Sequence, residues 1–467
     1  MTHQPTNSTK TPTLLSIAWP IFVEQSLRIL IGTVDTFMVA HVSDGAVAAL
    51  GVSHRLIMLA IICFNFIGIG TSVVITHHLG AGDQKGAEKI ASTALGVNLW
   101  MGLLASVVIF AFNEQLLRAM QLPPELMAYA LPFMALMGGT LFLESINISI
   151  GAILRAHGNT RDVMFVTVGQ NIINVIGVSL VLFGWFGLPK LGVEGVAAAS
   201  VFSRLVATTA LLILLNRRLG LRMHWRTPFD LPLERIRRIL HIGLPAAGEH
   251  MSYWLAFLLI TSFIGRMGAE SLSIMAYAQT VQSLVILFSL SLGLGTEIVV
   301  GRLIGAGDFE GAYRQLLSSL KLCLMLTAGG MVIIALIAPR LIDLFSHDPE
   351  IVAGGALLLR IAFILEIGRV FNIVVINSLR ATGDARFPVQ IGAVCMWLLW
   401  VPNSWFLGLH VGWGLVGIWI AMCCDEWLRG IIMYRRWVTR KWLPFAERSR
   451  AAVMAHKNTN VPLVHET

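Results

Sequence analysis

The chain has 467 residues, of which 56% are hydrophobic and 13% are charged, and its mean hydropathy is +0.75. Soluble domains carry roughly a quarter charged residues, so an ordinary soluble enzyme is excluded and a polytopic membrane protein is predicted. The formal net charge of +8 would suggest nucleic acid in a soluble protein, but in a membrane protein the placement of lysine and arginine matters more than their sum.

Apolar runs separated by polar, glycine or proline residues predict an all-α fold with twelve membrane-spanning helices. At a rise of ~1.5 Å per residue, even the shortest run is long enough to cross the ~30 Å hydrocarbon core. The predicted spans cover residues 14–40, 46–78, 90–112, 124–153, 162–187, 192–215, 239–265, 271–303, 315–338, 350–379, 387–408 and 413–436.

The distribution of lysine and arginine predicts the orientation. If the N-terminus is cytoplasmic, the inner segments hold 23 of these residues and the outer segments hold 4. The positive-inside rule then places both termini in the cytoplasm. The polar start of the chain lacks the pattern of a cleaved signal peptide, so we expect it to be a retained cytoplasmic tail.

An internal repeat organises the chain at a constant offset of 225 residues. The tetrapeptide Gly-Ala-Gly-Asp occurs at 80–83 and again at 305–308, and Leu-Arg-Ala occurs at 154–156 and 379–381. The offset slips to 222 near the end of each half, where Gly192 corresponds to Gly414. Two six-span halves in parallel orientation are therefore predicted, related by a pseudo-two-fold axis along the membrane normal, with a substrate site between them.

This repeat sets the predicted domain boundaries. A cytoplasmic tail (1–13) precedes the N-lobe (14–216), an arginine-rich cytoplasmic linker (217–238) joins it to the C-lobe (239–436), and a second cytoplasmic tail (437–467) follows.

The repeated Gly-Ala-Gly-Asp sequence allows two interpretations. Its aspartates, Asp83 and Asp308, can cap the next helix, or its glycines can form a phosphate-binding loop. Because the chain contains no Gly-Lys dipeptide, the P-loop pattern is absent and capping is favoured. The five cysteines lie in apolar runs without metal-ligand spacing, so we expect neither a metal nor a cofactor.

Ionisable residues inside the spans are the candidate functional groups, because each is costly there unless it is paired or hydrated. In span 1, Glu24, Arg28 and Asp35 fall on one helical face. Glu24 and Arg28 can pair one turn apart, whereas Asp35 lacks an obvious partner on its own helix. Asp35 is therefore a candidate proton carrier, with structural neutralisation by another helix as the alternative.

The C-terminal half carries a second polar patch in span 10, formed by Glu366, Arg369 and Asn372. Glu366 and Arg369 are most simply an intramembrane ion pair, although they could also gate a cavity. Glu144 stands at the position that corresponds to Arg369, and these opposite charges suggest a contact between the lobes. Residues close to predicted span ends are expected to snorkel or to pair there: Glu297, Arg360, Asp425, Glu426 and Arg429.

These features together resemble the multidrug and toxic compound extrusion (MATE) family. The resemblance covers all twelve spans and rests on Val-Asp-Thr-Phe-Met-Val at 34–39, the two Gly-Ala-Gly-Asp loops, and Leu-Arg-Ala-x-Gly followed by Asn or Asp and an arginine after spans 4 and 10. It implies a cation-coupled exporter of organic, often cationic and amphipathic compounds, with a V-shaped cleft between two lobes.

The resemblance also implies site residues. Asp35 matches the family's essential span 1 aspartate, and Asn174 and Ser200 match polar positions of its N-lobe cation site; without the family, these two would most simply cross-link helices. The second carboxylate of that site is replaced by Val178. The span 7 glutamate of some members falls near Tyr253, and the span 10 aspartate falls near Arg369. These departures favour protons over sodium and argue against assuming a simple cationic substrate.

We therefore expect a monomeric, proton-coupled antiporter in the bacterial inner membrane, which works by alternating access and does not bind nucleic acid. Its expected partners are a small-molecule substrate, H⁺ and less favourably Na⁺, and the lipid bilayer. The alternative is an exporter or flippase of an anionic or lipid-linked metabolite, which Arg369 would tolerate. An enzyme is not expected, since neither a zinc-protease motif nor a P-loop is present.

Overall fold

The computed structural model describes residues 13–40, 43–187, 191–221 and 229–459, and regular structure in these stretches is helical throughout. Parts of the predicted tails and linker, namely residues 1–12, 222–228 and 460–467, lie outside the described residues. The helices are α1 (Leu14–Ala40), α2 (Asp44–Gly80), α3 (Gln84–Ala111), α4 (Asn113–Ala119), α5 (Met127–Gly139), α6 (Leu141–Ala156), α7 (Thr160–Phe183), α8 (Gly192–Leu219), α9 (Leu233–Gly265), α10 (Ala269–Ala306), α11 (Phe309–Asp343), α12 (Pro349–Thr382), α13 (Arg386–Cys395), α14 (Val401–Trp405), α15 (Gly414–Val438) and α16 (Leu443–Thr459).

These helices confirm the predicted all-α membrane fold. Among the described residues, nine helices are long and apolar enough to cross a membrane, and α5 with α6 forms a tenth span that bends by 44°. The other two predicted spans are α9 and α15, which contain 33 and 25 residues and carry several charged side chains. Span 11 consists of α13 and α14 with five-residue π-helical segments at Met396–Trp400 and Phe406–His410.

The aspartates of the two Gly-Ala-Gly-Asp loops cap helices, as predicted. The side chain of Asp83 accepts a hydrogen bond of 2.9 Å from the backbone N–H of Gly86 at the start of α3. Asp308 accepts one of 2.7 Å from Gly311 at the start of α11. The same cap therefore begins the third span of the N-lobe (α1–α8) and of the C-lobe (α9–α15).

The two lobes meet at the end of the molecule that carries these loops, which we call the closed end. A Cβ atom on Gly80 would collide with the carbonyl oxygen of Arg302, and one on Gly305 would collide with that of His77. Gly80 and His77 correspond to Gly305 and Arg302 in the repeat. Glycine is required at both positions because the backbones of α2 and α10 are in direct contact there.

Further contacts tie the lobes together at the closed end. Ile17 and Ile21 of α1 pack with Ile298 and Val299 of α10 in one apolar cluster. The C-terminal helix α16 lies across this end: Lys457 donates to the carbonyl of Ala81 in the N-lobe at 2.9 Å, while Ser449 on the same helix donates to that of Thr382 in the C-lobe at 3.1 Å.

At the opposite end each lobe packs on itself. One large apolar cluster there contains Phe133 and Met134 with other N-lobe residues, and a second contains Trp400 and Trp419 with other C-lobe residues. The lobes thus share an apolar cluster at the closed end and have separate ones at the other end, and a cavity lies between them.

Candidate functional site: a cavity between the lobes and its buried charges

A cavity of about 510 Å³ lies between the lobes. The N-lobe contributes residues of α1, α2 and α6, and the C-lobe contributes residues of α9, α10, α12 and α15 together with Met396. Its wall combines apolar side chains such as Phe66 and Trp254 with charged ones. An apolar cavity with a few polar groups at a repeat interface is the usual form of a transporter's substrate site.

Two equivalent ion pairs stand at this cavity. In the N-lobe, Arg155 donates to the carboxylate of Glu24 at 2.9 Å and 3.1 Å. In the C-lobe, Arg380 donates to Glu249 at 2.6 Å. Each pair joins the first span of its lobe to the end of the fourth, and the offset of 225 residues relates the two. Arg155 and Arg380 are among the 23 lysines and arginines that the sequence assigns to the inner segments. In the structure, both arginines line the cavity.

Asp35 lies further along α1, and the group that binds it is neutral. The side-chain amide of Asn174 on α7 donates to Asp35 Oδ1 at 2.8 Å. Ser203 on α8 donates to Asn174 Oδ1 at 3.4 Å and to the carbonyl of Ser200 at 2.9 Å. Asp35, Asn174 and Ser200 thus stand on three helices that meet in the N-lobe, and the buried Val178 lies one turn beyond Asn174.

The other N-lobe carboxylates in this region have arginine partners. Glu24 pairs with Arg28, as expected from their spacing, with 3.2 Å between Oε1 and Nη2. Glu144 pairs with Arg204 of α8 at 3.2 Å and lies 3.6 Å from Arg28. Among these three acids, Asp35 differs in that its hydrogen-bond donor carries no charge.

The C-lobe holds a denser network around Arg369. Its guanidinium bonds Glu366 on its own helix and Glu426 of α15, the latter at 3.2 Å. Arg429 in turn binds Asp425 at 2.8 Å and Glu426 at 3.2 Å. Asn372 donates to Glu426 at 2.5 Å, and Gln282 of α10 donates to Glu366. This network is buried, and its two arginines are shared among three carboxylates, each of which has at least one cationic partner.

The expected contact between Glu144 and Arg369 is wrong in this structure. Each residue is bound within its own lobe, Glu144 to Arg204 and Arg369 to Glu426. Allowing for the offset of 222 near the end of each half, Arg204 corresponds to Glu426. The two lobes therefore contain the same pair with its polarity reversed, and the N–O distance is 3.2 Å in both. This reversal explains why Glu144 and Arg369 carry opposite charges at equivalent positions of the repeat.

The remaining predicted residues divide between the cavity and the protein interior. Tyr253, Arg369 and Asn372 line the cavity, while Glu144 and Glu366 lie outside its wall. Tyr253 stacks on Trp400 with 5.5 Å between ring centroids. Of the two expectations for Asp425, Glu426 and Arg429, snorkelling is wrong and pairing is confirmed, since all three are buried and Arg429 binds both acids.

Sequence reasoning missed five cavity residues as candidate functional groups: Arg155, Arg380, Glu297, Glu426 and Arg429. The repeat contained a signal for two of them, because Leu-Arg-Ala recurs at the same offset of 225 residues as Glu24 and Glu249. An arginine kept at the same position in both halves, each facing a repeated glutamate, could have been interpreted as a pair.

Two six-span lobes, joined at one end and enclosing a charged cavity at the repeat interface, define a transporter that spans the membrane. The chain belongs to the MatE family, whose model matches residues 20–180 and 245–406. It is thus a multi-span transporter of the MATE efflux family, and proteins of this family are not enzymes.

Several relatives cover almost the whole chain. The "uncharacterized transporter YisQ" of Bacillus subtilis is 41% identical over 93% of this chain and 95% of its own length. A "probable multidrug resistance protein NorM" of Thermotoga maritima is 24% identical over 92% of both. An outward-facing multidrug resistance MATE transporter of the MOP superfamily superposes with a TM-score of 0.84 at 20% identity, covering 92% of this chain and 96% of its own.

Proposed function

We propose that this protein exports amphipathic organic compounds in exchange for protons, with Asp35 as the carboxyl group that takes up the coupling proton. The observation that carries this proposal is the environment of Asp35. Its hydrogen-bond donor is the amide of Asn174, whereas Glu24 and Glu144 bind arginines. A carboxyl group in a membrane helix whose hydrogen-bond donor is neutral can gain and lose a proton as its surroundings change.

The side chains near Asp35 favour a proton over sodium. A sodium ion needs several oxygen ligands, and the position at which some family members supply a second carboxylate holds the buried Val178. In the C-lobe the two positions where relatives place acids hold Tyr253 and Arg369. A proton needs one carboxyl oxygen, which Asp35 provides.

The orientation follows from the charge distribution and the position of the closed end. The Gly-Ala-Gly-Asp loops and the long helix α16 lie at this end, together with the segments that carry the excess of lysine and arginine. The positive-inside rule assigns it to the cytoplasm. The cavity then opens outward in this conformation, and export requires a second conformation in which the closed end separates.

An anionic substrate is the second candidate, because four arginines line the cavity beside three glutamates. A MOP superfamily transporter from Pyrococcus furiosus with the same fold, at a TM-score of 0.83, is described as having a binding pocket of reversed polarity that suggests a different function. In the present chain Arg369 is engaged by Glu366 and Glu426, so its charge is not available to an anion. The cationic or neutral amphiphile is therefore favoured.

Everted membrane vesicles test the proposal. With an imposed pH gradient, acid inside, we expect wild-type protein to accumulate a fluorescent cationic dye and Asp35→Asn to accumulate none above empty vesicles. An imposed sodium gradient should have no effect on the wild type. Dye accumulation by Asp35→Asn at the wild-type rate would reject Asp35 as the coupling residue, and accumulation of an anionic dye alone would favour the second candidate.

A further inference from the structure

Glu297 of α10 is a buried acid at the narrow end of the cavity. Its side chain lines the cavity, the residue is 2% exposed, and its Oε2 is fully buried without a hydrogen-bond partner. One turn further toward the closed end, Gly301 of the same helix packs directly on Thr76 of α2. Glu297 therefore stands at the floor of the cavity, just above the seal between the lobes.

The cations nearest to Glu297 are already engaged. Arg155 of α6 and Arg380 of α12 act on its charge, but the first binds Glu24 and the second binds Glu249. Both arginines therefore already bind another carboxylate, and no arginine or lysine of the described residues forms an ion pair with Glu297. A buried carboxylate without a bound cation is costly, and a proton or a cation that enters the cavity would neutralise it.

Among the described residues, Arg369 of α12 is bound by Glu366 and Glu426, and the remaining helices packed against α10 place no lysine or arginine in the wall of the cavity. Ser72 and Asn65 of α2 line it but are neutral, and α9 contributes His250 beside Glu249. His77 of α2 is buried nearer the closed end with its Nε2 on the carbonyl of Ala381. On α11, Lys321 is exposed, and α16 places Arg450 beyond the floor, against Gly307.

Glu297 has no acidic counterpart in the N-lobe. The residue equivalent to Glu297 in the N-lobe is Ser72, which also lines the cavity. The floor thus has a neutral hydroxyl on one side of the pseudo-two-fold axis and a carboxylate on the other. The carboxylate is not part of the symmetric framework of Glu24, Arg155, Glu249 and Arg380 that holds the lobes.

We propose that Glu297 is the binding site for the positively charged nitrogen or phosphorus centre of a lipophilic organic cation, and that it carries a proton when the cavity is empty. The ligand's apolar groups then contact Ile21, Phe66, Leu294 and Ile298, which line the cavity around it. Binding replaces the proton on Glu297, so one proton leaves for each cation bound. This inference rests on the proposed export of amphipathic compounds and assigns a residue to recognition of the substrate's charge.

Equilibrium binding of tetraphenylphosphonium to the detergent-solubilised full-length protein tests it without any gradient. We expect wild-type affinity to rise as the pH is raised, and calorimetry in buffers of different ionisation enthalpy to show release of about one proton per cation. Glu297→Gln should bind at least tenfold more weakly and release no proton. Glu270→Gln, an exposed acid on the first turn of the same helix, should bind as the wild type does.

The Asp35→Asn variant separates this proposal from the proposed function. It should lose gradient-driven transport but keep pH-dependent tetraphenylphosphonium binding with proton release, because Glu297 remains. Wild-type affinity in Glu297→Gln, or binding without proton release in Asp35→Asn, would overturn the assignment of Glu297. Transport by Asp35→Asn would instead overturn the coupling role of Asp35. Tetraphenylphosphonium binding would still test the role of Glu297 independently. If Glu297→Gln does not fold, proton release in Asp35→Asn alone decides.

Discussion

The N-lobe and the C-lobe hold the same ion pair at the cavity, Glu24 with Arg155 and Glu249 with Arg380, but the surroundings of these pairs differ. In the N-lobe, Asp35 faces a neutral amide, and its C-lobe equivalent is Ile260, which is buried in the apolar core. In the C-lobe, five charged side chains of α12 and α15 bind one another. The comparison indicates that the N-lobe keeps Asp35 without a hydrogen-bonded cation, while the charges of α12 and α15 in the C-lobe hold these two helices together.

One ion pair occurs in both lobes with its charges exchanged, and its surroundings show the same difference between the lobes. Glu144 with Arg204 and Arg369 with Glu426 are the same contact with exchanged charges, so the contact itself matters to the fold of each lobe. The two contacts differ in the number of further charged side chains that bind their members. Arg369 is shared between two carboxylates, and Glu426 is shared between two arginines.

Removing the central cation of the C-lobe should have the largest effect on stability. In Arg369→Ala, Glu366 loses its cationic partner and Glu426 loses one of two, while both acids remain buried. We expect the free energy of unfolding to fall by about 3 to 5 kcal/mol. Arg204→Ala should cost less, because Glu144 keeps Arg28 at 3.6 Å. Tryptophan fluorescence during denaturant unfolding in detergent measures both, and an equal loss in the two variants would refute the proposed difference between the lobes.

Opening the closed end should have the next largest effect. In Gly80→Val the side chain cannot fit against the carbonyl of Arg302, so the population with the closed end separated should rise about tenfold, which corresponds to ~1.4 kcal/mol. Labelling of Ser72→Cys by an impermeant thiol reagent from the closed-end side, in a background without the native cysteines, measures this population.

The matched control for this labelling is Gly329→Val on α11, where an added Cβ atom meets no other atom within 4 Å. It should label at the rate of the parent protein. Faster labelling in Gly329→Val as well would show that the change reflects general loosening rather than the contact between Gly80 and Arg302.

The two helix caps give a smaller difference between the lobes. Asp83→Ala and Asp308→Ala each remove a cap worth about 1 kcal/mol, and Asp83→Ala should cost more because that carboxylate also accepts from His78 at 2.8 Å. Burial raises the pKa of the Asp83 carboxyl group, but the hydrogen bonds from the Gly86 N–H and from His78 outweigh burial and hold this pKa below its usual value. Its stabilising effect is therefore present above the unfolded pKa of ~3.9 and is lost as the pH falls through the folded value.

The pH dependence gives the measurement for these caps. The melting temperature of Asp83→Ala should lie below that of the wild type at pH 7, and the two should approach each other as the pH is lowered toward 3. A difference that grows on acidification would contradict the lowered pKa of Asp83.

The smallest expected effect concerns α16. Lys457→Ala removes the hydrogen bond from this helix to Ala81 of the N-lobe, which is worth about 0.5 to 1.5 kcal/mol. Labelling of Ser72→Cys from the closed end should rise about threefold, less than in Gly80→Val. Labelling at the parent rate would mean that α16 does not hold the lobes together through this bond.

The sequence predicted the twelve spans, the repeat and the two aspartate caps because each depends on local pattern: hydropathy over about 20 residues, a fixed offset, and a side chain three residues before its donor. The pairing of charges was less predictable. Arg155 reaches Glu24 across 131 positions, and Glu426 meets Arg369 only because α12 and α15 are neighbours. The cavity position of Glu297 depends on how closely α2 and α10 approach at Gly301, which no hydropathy pattern reveals.

The central claim is that the coupling proton is carried by Asp35 of the N-lobe and not by the charge network of α12 and α15 in the C-lobe. Its most direct test is proton counterflow in proteoliposomes that contain a trapped pH indicator, started by a gradient of the transported compound. Asp35→Asn should abolish the counterflow, whereas Asp425→Asn, which changes an acid of the C-lobe network, should retain it. Counterflow that persists in Asp35→Asn and disappears in Asp425→Asn would contradict the account.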